Sequence, residues 1–143
     1  LCTLCLLSGC TQTGQTAQAI DPEQSGSAGG RMVAWLGSYG TAAFGGEELP
    51  RPGAVIMQYT GHSDYTAHDP PTFACAGERD SIANWRTMQR RLEAMQRLGI
   101  PTEFHHYPGL AHGFGLGTGT VAEGWIDEAI AFWEAQMEAD ASM

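Results

Sequence analysis

Two segments rich in small residues each hold one side chain that could take part in nucleophilic catalysis. Ser27 lies in the run Ser25–Gly30, and His112 lies in the run Gly109–Gly115. The first run has the composition of a nucleophile elbow, a sharp strand-to-helix turn in which small neighbours leave room for a strained serine and for a substrate. A histidine can remove the proton from a serine hydroxyl, which is otherwise a poor nucleophile. The pair therefore predicts nucleophilic attack on a carbonyl carbon.

Hydrophobic periodicity predicts the helices and strands that would position this pair. Short, continuous apolar runs are typical of strands that are buried on both faces, and apolar stripes of helical period predict the helices between them. Because strands alternate with helices, the pattern predicts an α/β fold with a parallel sheet, flanking helices and right-handed crossovers. In chain order we expect a helix at Arg31–Ser38, strands at Ala54–Tyr59 and Thr72–Ala76, a helix at Ile82–Leu98, a strand at Thr102–Tyr107 and a helix from Thr120 to about Met137.

The boundaries of the last two helices follow from local signals. The predicted helix Ile82–Leu98 has an apolar stripe that ends at Leu98. Glu93 is spaced to pair with Arg97, and Gly99 is in position to end the helix. The segment Thr120–Glu123 matches a capping box, which predicts the start of the last helix. The inward face of that helix is predicted to include Trp125, Ile126, Ala129, Ile130 and Trp133.

A carboxylate follows the second predicted strand. Asp80 comes shortly after Thr72–Ala76, and His112 comes shortly after the third strand. Reactive groups in such sheets collect beyond the carboxyl ends of the strands, so Ser27, Asp80 and His112 are predicted to approach hydrogen-bond reach. Asp80 would fix the tautomer of His112 and stabilise the imidazolium. The alternatives are that Asp80 only caps the following helix, and that Ser27 lies in an ordinary flexible loop.

The remaining histidines provide one further candidate. His62 follows the first strand and could contact a substrate, although a solvated loop histidine is the more common case. His105 and His106 point to opposite faces of a strand, and with His112 they lack carboxylates at ligand spacing. We therefore expect no metal site and no cofactor.

Charge excludes several classes of partner. The 143 residues include 7 Lys and Arg against 16 Asp and Glu, a formal net charge of −9. An acidic chain without a basic stripe repels nucleic acids and anionic membrane surfaces, so no nucleic-acid partner is expected. No apolar run approaches the ~20 residues of a membrane-spanning helix.

The amino-terminal segment has a different character. An apolar run ends in Leu7–Cys10, which resembles a bacterial lipobox, and the polar tether Thr11–Gln18 follows it. The prediction is a signal or lipobox segment with tether over residues 1–19, lipidation of Cys10 as a membrane anchor, export from the cell, and a catalytic domain over 20–143. A truncated secretory signal, an incidental apolar end and a cytoplasmic location remain the alternatives.

The chain order of serine, aspartate and histidine is that of the α/β-hydrolases. The runs Ser25–Gly30, Pro70–Asp80 and Tyr107–Phe114 resemble motifs of that superfamily. From Gly26 to about Met137, the chain resembles the C-terminal half of small carbohydrate-esterase and lipase-like members. These members are related to acetyl-xylan and feruloyl esterases and, more distantly, to dienelactone hydrolases and prolyl oligopeptidases.

This resemblance implies roles for individual residues. Ser27 would be the nucleophile, Asp80 the triad acid, His112 the general base, and the backbone N–H of Ala28 one oxyanion donor. The chain departs from the family pattern at Ser25, where glycine is usual, and no apolar strand precedes that residue. The expected fold is therefore a truncated α/β-hydrolase that lacks the strands before the elbow.

The function implied by the resemblance is hydrolysis of carboxylic esters through an acyl-enzyme. Small acyl groups are favoured, with carbohydrate esters among the candidate substrates, because the short link between the first two strands leaves little room for a lid. Two alternatives remain: the C-terminal part of a dipeptidyl-type serine peptidase, and a catalytically inactive lipoprotein or interaction remnant.

Overall fold

The chain alternates helices and parallel strands, as the sequence predicts. The computed structural model describes residues 22–141, and for residues 22–26 and 140 it describes the backbone alone. The order of elements is α1 (Pro22–Tyr39), β1 (Val55–Gln58), β2 (Thr72–Gly77), α2 (Trp85–Arg97), β3 (Thr102–Tyr107) and α3 (Trp125–Ala141). A single turn of 3₁₀-helix at Ala42–Phe44 follows α1.

The three strands form one parallel sheet in the order β1-β2-β3. Thr72 in the central strand pairs with Val55 on one side and with Thr102 on the other. Because the strands run in the same direction, their carboxyl ends lie at one edge of the sheet, and the loops after them meet there. The predicted α/β fold with a parallel sheet is confirmed.

Helices cover both faces of this sheet. The helices α1 and α2 pack on the face that presents Met57, Ala74 and Ala76. The helix α3 packs on the opposite face, which presents Phe73 and Cys75. Successive side chains of a strand point to opposite faces, so two covered faces require the continuous apolar runs seen in β1 and β2.

Small residues let α1 lie close to β1. Gly30, Ala34 and Gly37 recur at helical spacing on the face of α1 that meets the sheet. A Cβ at Gly30 would lie 3.1 Å from the carbonyl oxygen of Gln58, and one at Gly37 would lie 2.9 Å from a methyl carbon of Val55. Larger side chains at these two positions would push the helix away from the sheet.

The start of α1 differs from the sequence prediction. The helix begins at Pro22 rather than at Arg31, so the run Ser25–Gly30 is helical and not a sharp strand-to-helix turn. Proline fits the first turn of a helix, where its missing N–H is not needed. Gly30 then packs on β1 as part of the same continuous helix. The predicted elbow conformation is therefore wrong for this structure.

The boundaries of α2 also need correction. The helix begins at Trp85 and not at Ile82, because the Asn84 side chain accepts a hydrogen bond from the N–H of Arg86 and forms the N-cap. Glu93 accepts a hydrogen bond from Gln89, not the predicted pairing with Arg97. Leu98 is 52% exposed, because it lies beyond the last residue of the helix.

The last helix starts later than the capping box predicts. Gly124 has a φ of 92°, a left-handed conformation that separates Thr120–Glu123 from the helix, and α3 begins at Trp125. The Glu123 carboxylate instead accepts a hydrogen bond from the N–H of Gly119. In α3 itself Ile130 is 37% exposed, and Phe132 packs in the core in its place.

A buried ion pair fixes the loop between β1 and β2. The guanidinium of Arg91 in α2 lies 2.6 Å from the carboxylate of Asp69, and both side chains are 1% exposed. The Ser38 hydroxyl of α1 donates to the same carboxylate oxygen, and Arg91 also donates to the carbonyl of Asp64. The loop is thereby attached to both helices on this face.

Gly77, at the carboxyl end of β2, allows the chain after β3 to cross the strand. A Cβ on this residue would lie 2.8 Å from the carbonyl carbon of Leu110 and 2.9 Å from the carbonyl oxygen of Ala111. Contacts this short do not occur in folded proteins, so the crossing requires glycine.

Replacing Gly77 with alanine should lower the free energy of unfolding by about 1–3 kcal/mol, because the added methyl group would displace the crossing chain. Urea unfolding followed by tryptophan fluorescence would measure the change. Gly61→Ala is the matched control, since a Cβ there has no heavy atom within 4 Å. We expect that control to change stability by no more than about 0.5 kcal/mol. Equal stabilities of the two variants would contradict the crossing.

Candidate functional site

An open cleft of about 980 Å³ lies at the carboxyl edge of the sheet. Its walls come from α1 and from the loops after all three strands, as the topology predicts. The lining residues are Ser27, Ala28, Arg31, Met32 and Trp35 of α1, Thr60 and Gly61 after β1, Ile82 and Ala83 after β2, and His112 and Gly113 after β3.

Asp80 and His112 form a hydrogen-bonded pair at this cleft. Nδ1 of His112 donates to Oδ2 of Asp80 over 2.7 Å, and the two side chains are 15% and 0% exposed. Because a carboxylate only accepts, Nδ1 carries the proton and Nε2 is the ring nitrogen left for another partner. This arrangement suits a histidine that accepts a proton at Nε2.

The second oxygen of Asp80 holds its own loop. Oδ1 accepts hydrogen bonds from the N–H groups of Ile82 and Ala83, over 2.8 and 2.7 Å. The alternative that Asp80 only caps α2 is therefore wrong, because Asn84 is the N-cap and Asp80 caps the turn before it. The same carboxylate fixes a backbone turn with one oxygen and orients His112 with the other.

Backbone hydrogen bonds join the loops that carry this pair. The N–H of Glu78 donates to the carbonyl of Tyr107, and the N–H of Arg79 donates to the carbonyl of Leu110. Together with the close approach at Gly77, these bonds place Asp80 beside His112 although the two residues are far apart in the chain.

The loop after β3, which carries His112, is also held at Gly115. Its carbonyl accepts hydrogen bonds from the Gln58 side chain, over 2.8 Å, and from the Trp125 indole, over 2.9 Å. The loop is therefore attached both to the first strand and to α3.

Tyr59 supports the histidine ring and was missed by the sequence analysis. Its ring centroid lies 4.8 Å from that of His112 and 5.1 Å from that of Phe114, and the side chain is 1% exposed. Its φ of 27° is unusual for a bulky residue and turns the chain directly after β1. Its place at the end of the predicted strand Ala54–Tyr59 was the only sequence signal for this role.

Ser27 lies in the same cleft as His112, within the second turn of α1. Among the described residues, no hydrogen bond joins its hydroxyl to the His112 ring. In a helix that begins at Pro22, the N–H of Ala28 is bonded to the carbonyl of residue 24. The serine and the histidine thus share a site, but the expected oxyanion donor is occupied within the helix.

His62 is buried rather than solvated. It is 3% exposed, it packs edge-on against Trp35 with ring centroids 5.9 Å apart, and its Nε2 has no partner within residues 22–141. Burial, and then the charge of Arg91, lowers the pKa of the His62 imidazole. Its neighbours Thr60 and Gly61 line the cleft, whereas His62 does not. Contact with a substrate remains a prediction.

The other two histidines make side-chain contacts within the fold. His105 lies 2.6 Å from the Glu103 carboxylate, and the His106 ring stacks on Trp85 with centroids 4.5 Å apart. Over the described part of the chain, no group of histidine, cysteine and acidic side chains could hold a metal ion.

The predicted segment 1–19 and the lipidation of Cys10 lie outside the described residues.

Within residues 22–141, no helix is both long and apolar enough to cross a membrane.

No protein-family model and no curated protein matches this chain, but solved structures do. The α/β-hydrolase MGS-M1 from a Medee basin deep-sea metagenome library superposes with a TM-score of 0.63, over 78% of this chain and 52% of its own. A sugar hydrolase from Lactococcus lactis gives 0.64, over 84% and 61%. An acetyl ester-xyloside bifunctional hydrolase from Caldicellulosiruptor lactoaceticus also gives 0.64, over 81% and 58%.

All three structures are 22% identical to this chain, a level at which the likeness shows the fold. The chain spans between half and about three-fifths of the length of each. The predicted partial α/β-hydrolase fold is therefore confirmed.

The burial of His62 should make the fold less stable as pH falls. Its pKa is lowered from 6.5 in the folded state, so below that pH the unfolded chain binds more protons and the free energy of unfolding declines. Arg91 and Arg31 lower this pKa further, and Asp64 and Asp69 oppose them. Neutral His62 makes its full contribution to the free energy of unfolding above pH 6.5. As the pH falls from 6.5 toward the folded-state pKa, this contribution decreases by at most about 1.4 kcal/mol per pH unit.

Urea unfolding at pH 7.5 and at pH 5.5, with His62→Phe as the comparison, would measure this contribution. The variant keeps an aromatic ring against Trp35 but cannot titrate, so we expect it to lose less stability than the original chain over the same interval. The same pH dependence in both proteins would show that His62 titrates normally.

Proposed function

We propose that this chain supplies the serine, histidine and aspartate of a carboxylic-ester hydrolase. The observation that carries the proposal is the hydrogen-bonded pair of Asp80 and His112 at a cleft that Ser27 also lines. Two of the three groups are already in the relation that the chemistry needs, and the third lies in the same cleft.

In the proposed reaction, Oγ of Ser27 attacks the ester carbonyl carbon while Nε2 of His112 takes the hydroxyl proton. The histidine then gives that proton to the departing alcohol as the carbonyl–oxygen bond breaks, which leaves an acyl group on Ser27. A water molecule, deprotonated by the same nitrogen, releases the acid and restores the serine. Throughout, Asp80 holds the ring and stabilises its charged form.

The structural neighbours support an ester as the substrate. One is named as an acetyl ester-xyloside hydrolase, another as a sugar hydrolase, and a third, from Lactobacillus plantarum, as a carboxylesterase. We propose small acyl groups, with carbohydrate esters among the candidates, and the open form of the cleft is compatible with either. Since this chain spans only part of each neighbour, the activity of the complete proteins is carried over only as part of this proposal.

The helical state of α1 limits the expected rate. A helical N–H at Ala28 is not available to an oxyanion, and loss of one such donor typically lowers kcat by ~10²–10³. We therefore expect slow turnover from the chain in this conformation.

The same observation favours a second candidate, a binding module without turnover. A serine inside a regular helix lacks the strained, exposed geometry of a nucleophile elbow. In that case the cleft would bind an ester or a related ligand and release it unchanged.

Labelling with a fluorophosphonate would distinguish the two candidates. If Ser27 is the nucleophile, its oxygen displaces fluoride from phosphorus and the folded chain gains a covalent adduct that mass spectrometry locates at Ser27. We expect no adduct in Ser27→Ala and a much slower reaction in His112→Gln, because the proton then has no acceptor.

Ser63→Ala is the matched control, since it removes an exposed hydroxyl from the loop after β1. It should label at the same rate as the original chain. Folded protein, verified by circular dichroism, that gains no adduct would exclude the hydrolase and leave the binding module.

Replacing Asp80 with asparagine should abolish turnover while keeping the loop. The remaining carbonyl oxygen can still accept the N–H groups of Ile82 and Ala83, but an amide nitrogen cannot accept from Nδ1 of His112. The corresponding change in a serine protease lowers kcat by about 10⁴, so hydrolysis of 4-nitrophenyl acetate should fall to the level of Ser27→Ala.

The charge-matched control is Asp64→Asn, which removes an exposed carboxylate from another loop. We expect this variant to keep the original rate. If Asp80→Asn retained its Ser27-dependent turnover, Asp80 would have no catalytic effect on the histidine.

A further inference from the structure

One cationic side chain lines the cleft and has no role in the proposed reaction. Arg31 follows Ser27 by one turn of α1, and Trp35 follows Arg31 by another, so the three share a face of the helix. The guanidinium carbon of Arg31 lies 5.7 Å from the centre of the Trp35 ring. Arg31 is exposed, and Trp35 is 39% exposed.

No acidic side chain in the described structure neutralises this cation. None of the residues that line the cleft is a carboxylate, and Arg31 forms no ion pair with any described carboxylate. The acidic group of the site, Asp80, has a fully buried side chain that is hydrogen-bonded to His112. In a chain with 16 acidic and 7 basic residues, an arginine in the cleft that pairs with none of the described carboxylates is not expected from composition alone.

The surroundings of Arg31 suit an aromatic or extended ligand that ends in an anion. Trp35 is partly exposed at the cleft, and the rim includes the exposed apolar side chains of Met32, at 67%, and Ile82, at 74%. A guanidinium held on an aromatic ring presents its planar fork of N–H donors, which matches a carboxylate in two parallel hydrogen bonds.

We propose that Arg31 makes this site selective for esters whose alcohol part carries a carboxylate. Side chains one helical turn apart have Cβ atoms ~5–6 Å from each other, which sets the distance between the ester and the carboxylate. The proposal rests on the proposed function, which places a small acyl group on Ser27, so the anion belongs to the alcohol. The substrate class is then an acyl ester of a hydroxy acid of about the length of 4-hydroxybenzoate.

The test compares 4-acetoxybenzoate with its methyl ester, which lacks the negative charge and has a better leaving group, so Arg31→Gln is the reference for the intrinsic reactivity of each. Relative to Arg31→Gln, we expect the original chain to favour the anion in kcat/KM by about 3- to 5-fold, the upper part of the range for one exposed ion pair. Arg31→Gln should remove that preference and leave the methyl ester within about twofold. Arg31→Lys should keep part of it, and added salt should reduce it. The same ratio of kcat/KM for the two esters in the original chain and in Arg31→Gln would overturn the proposal.

A binding measurement separates this proposal from the proposed function. Calorimetry with 4-hydroxybenzoate on Ser27→Ala needs no turnover, and adding Arg31→Gln should weaken that binding by about 3- to 5-fold. Methyl 4-hydroxybenzoate, the neutral control, should bind both variants equally. Arg31-dependent binding of 4-hydroxybenzoate by a chain that shows no turnover would refute the hydrolase but support the anion site. Turnover by a chain that binds 4-hydroxybenzoate and its methyl ester equally well would support the hydrolase but refute the anion site.

Discussion

The candidate site depends on how closely the chain after β3 approaches the end of β2. Glycine at position 77 permits that approach, and the N–H groups of Glu78 and Arg79 fix it by donating to carbonyls of the crossing chain. These are backbone contacts, and they require that position 77 has no side chain. Because the two strands are neighbours in a parallel sheet, this approach brings Asp80 and His112 together.

Polar groups buried around the site act mainly as supports. Asp80 satisfies two backbone N–H groups as well as the histidine, which keeps a fully buried carboxylate hydrogen-bonded on both oxygens. The ion pair of Arg91 and Asp69 likewise supports the loop after β1. That loop carries the two cleft residues that precede His62. Removal of one member of such a buried pair leaves an uncompensated charge, so these groups define the position of the loops more than they add stability.

The least expected feature is the regular helix around Ser27. A helix seated on β1 through Gly30 satisfies its own backbone hydrogen bonds, whereas a sharp turn stores strain that the surrounding structure must maintain. Within residues 22–141 there is no strand before Ser27 that could impose such a turn. The position of the serine in the cleft and the conformation of its backbone therefore favour different functions, catalysis and simple binding.

The sequence by itself determined the elements, their order and the candidate residues. Apolar runs marked β1 and β2 to within about a residue, and β3 lies where the sequence predicts a strand although its residues are largely polar. The topological rule for parallel sheets correctly placed Asp80 with His112. Only the tertiary structure decided where α1 begins, that Arg91 is buried, and that Tyr59 supports the histidine. Periodicity reports which face of an element is apolar, but helix starts depend on local capping, and contacts between distant loops depend on which backbones can approach each other.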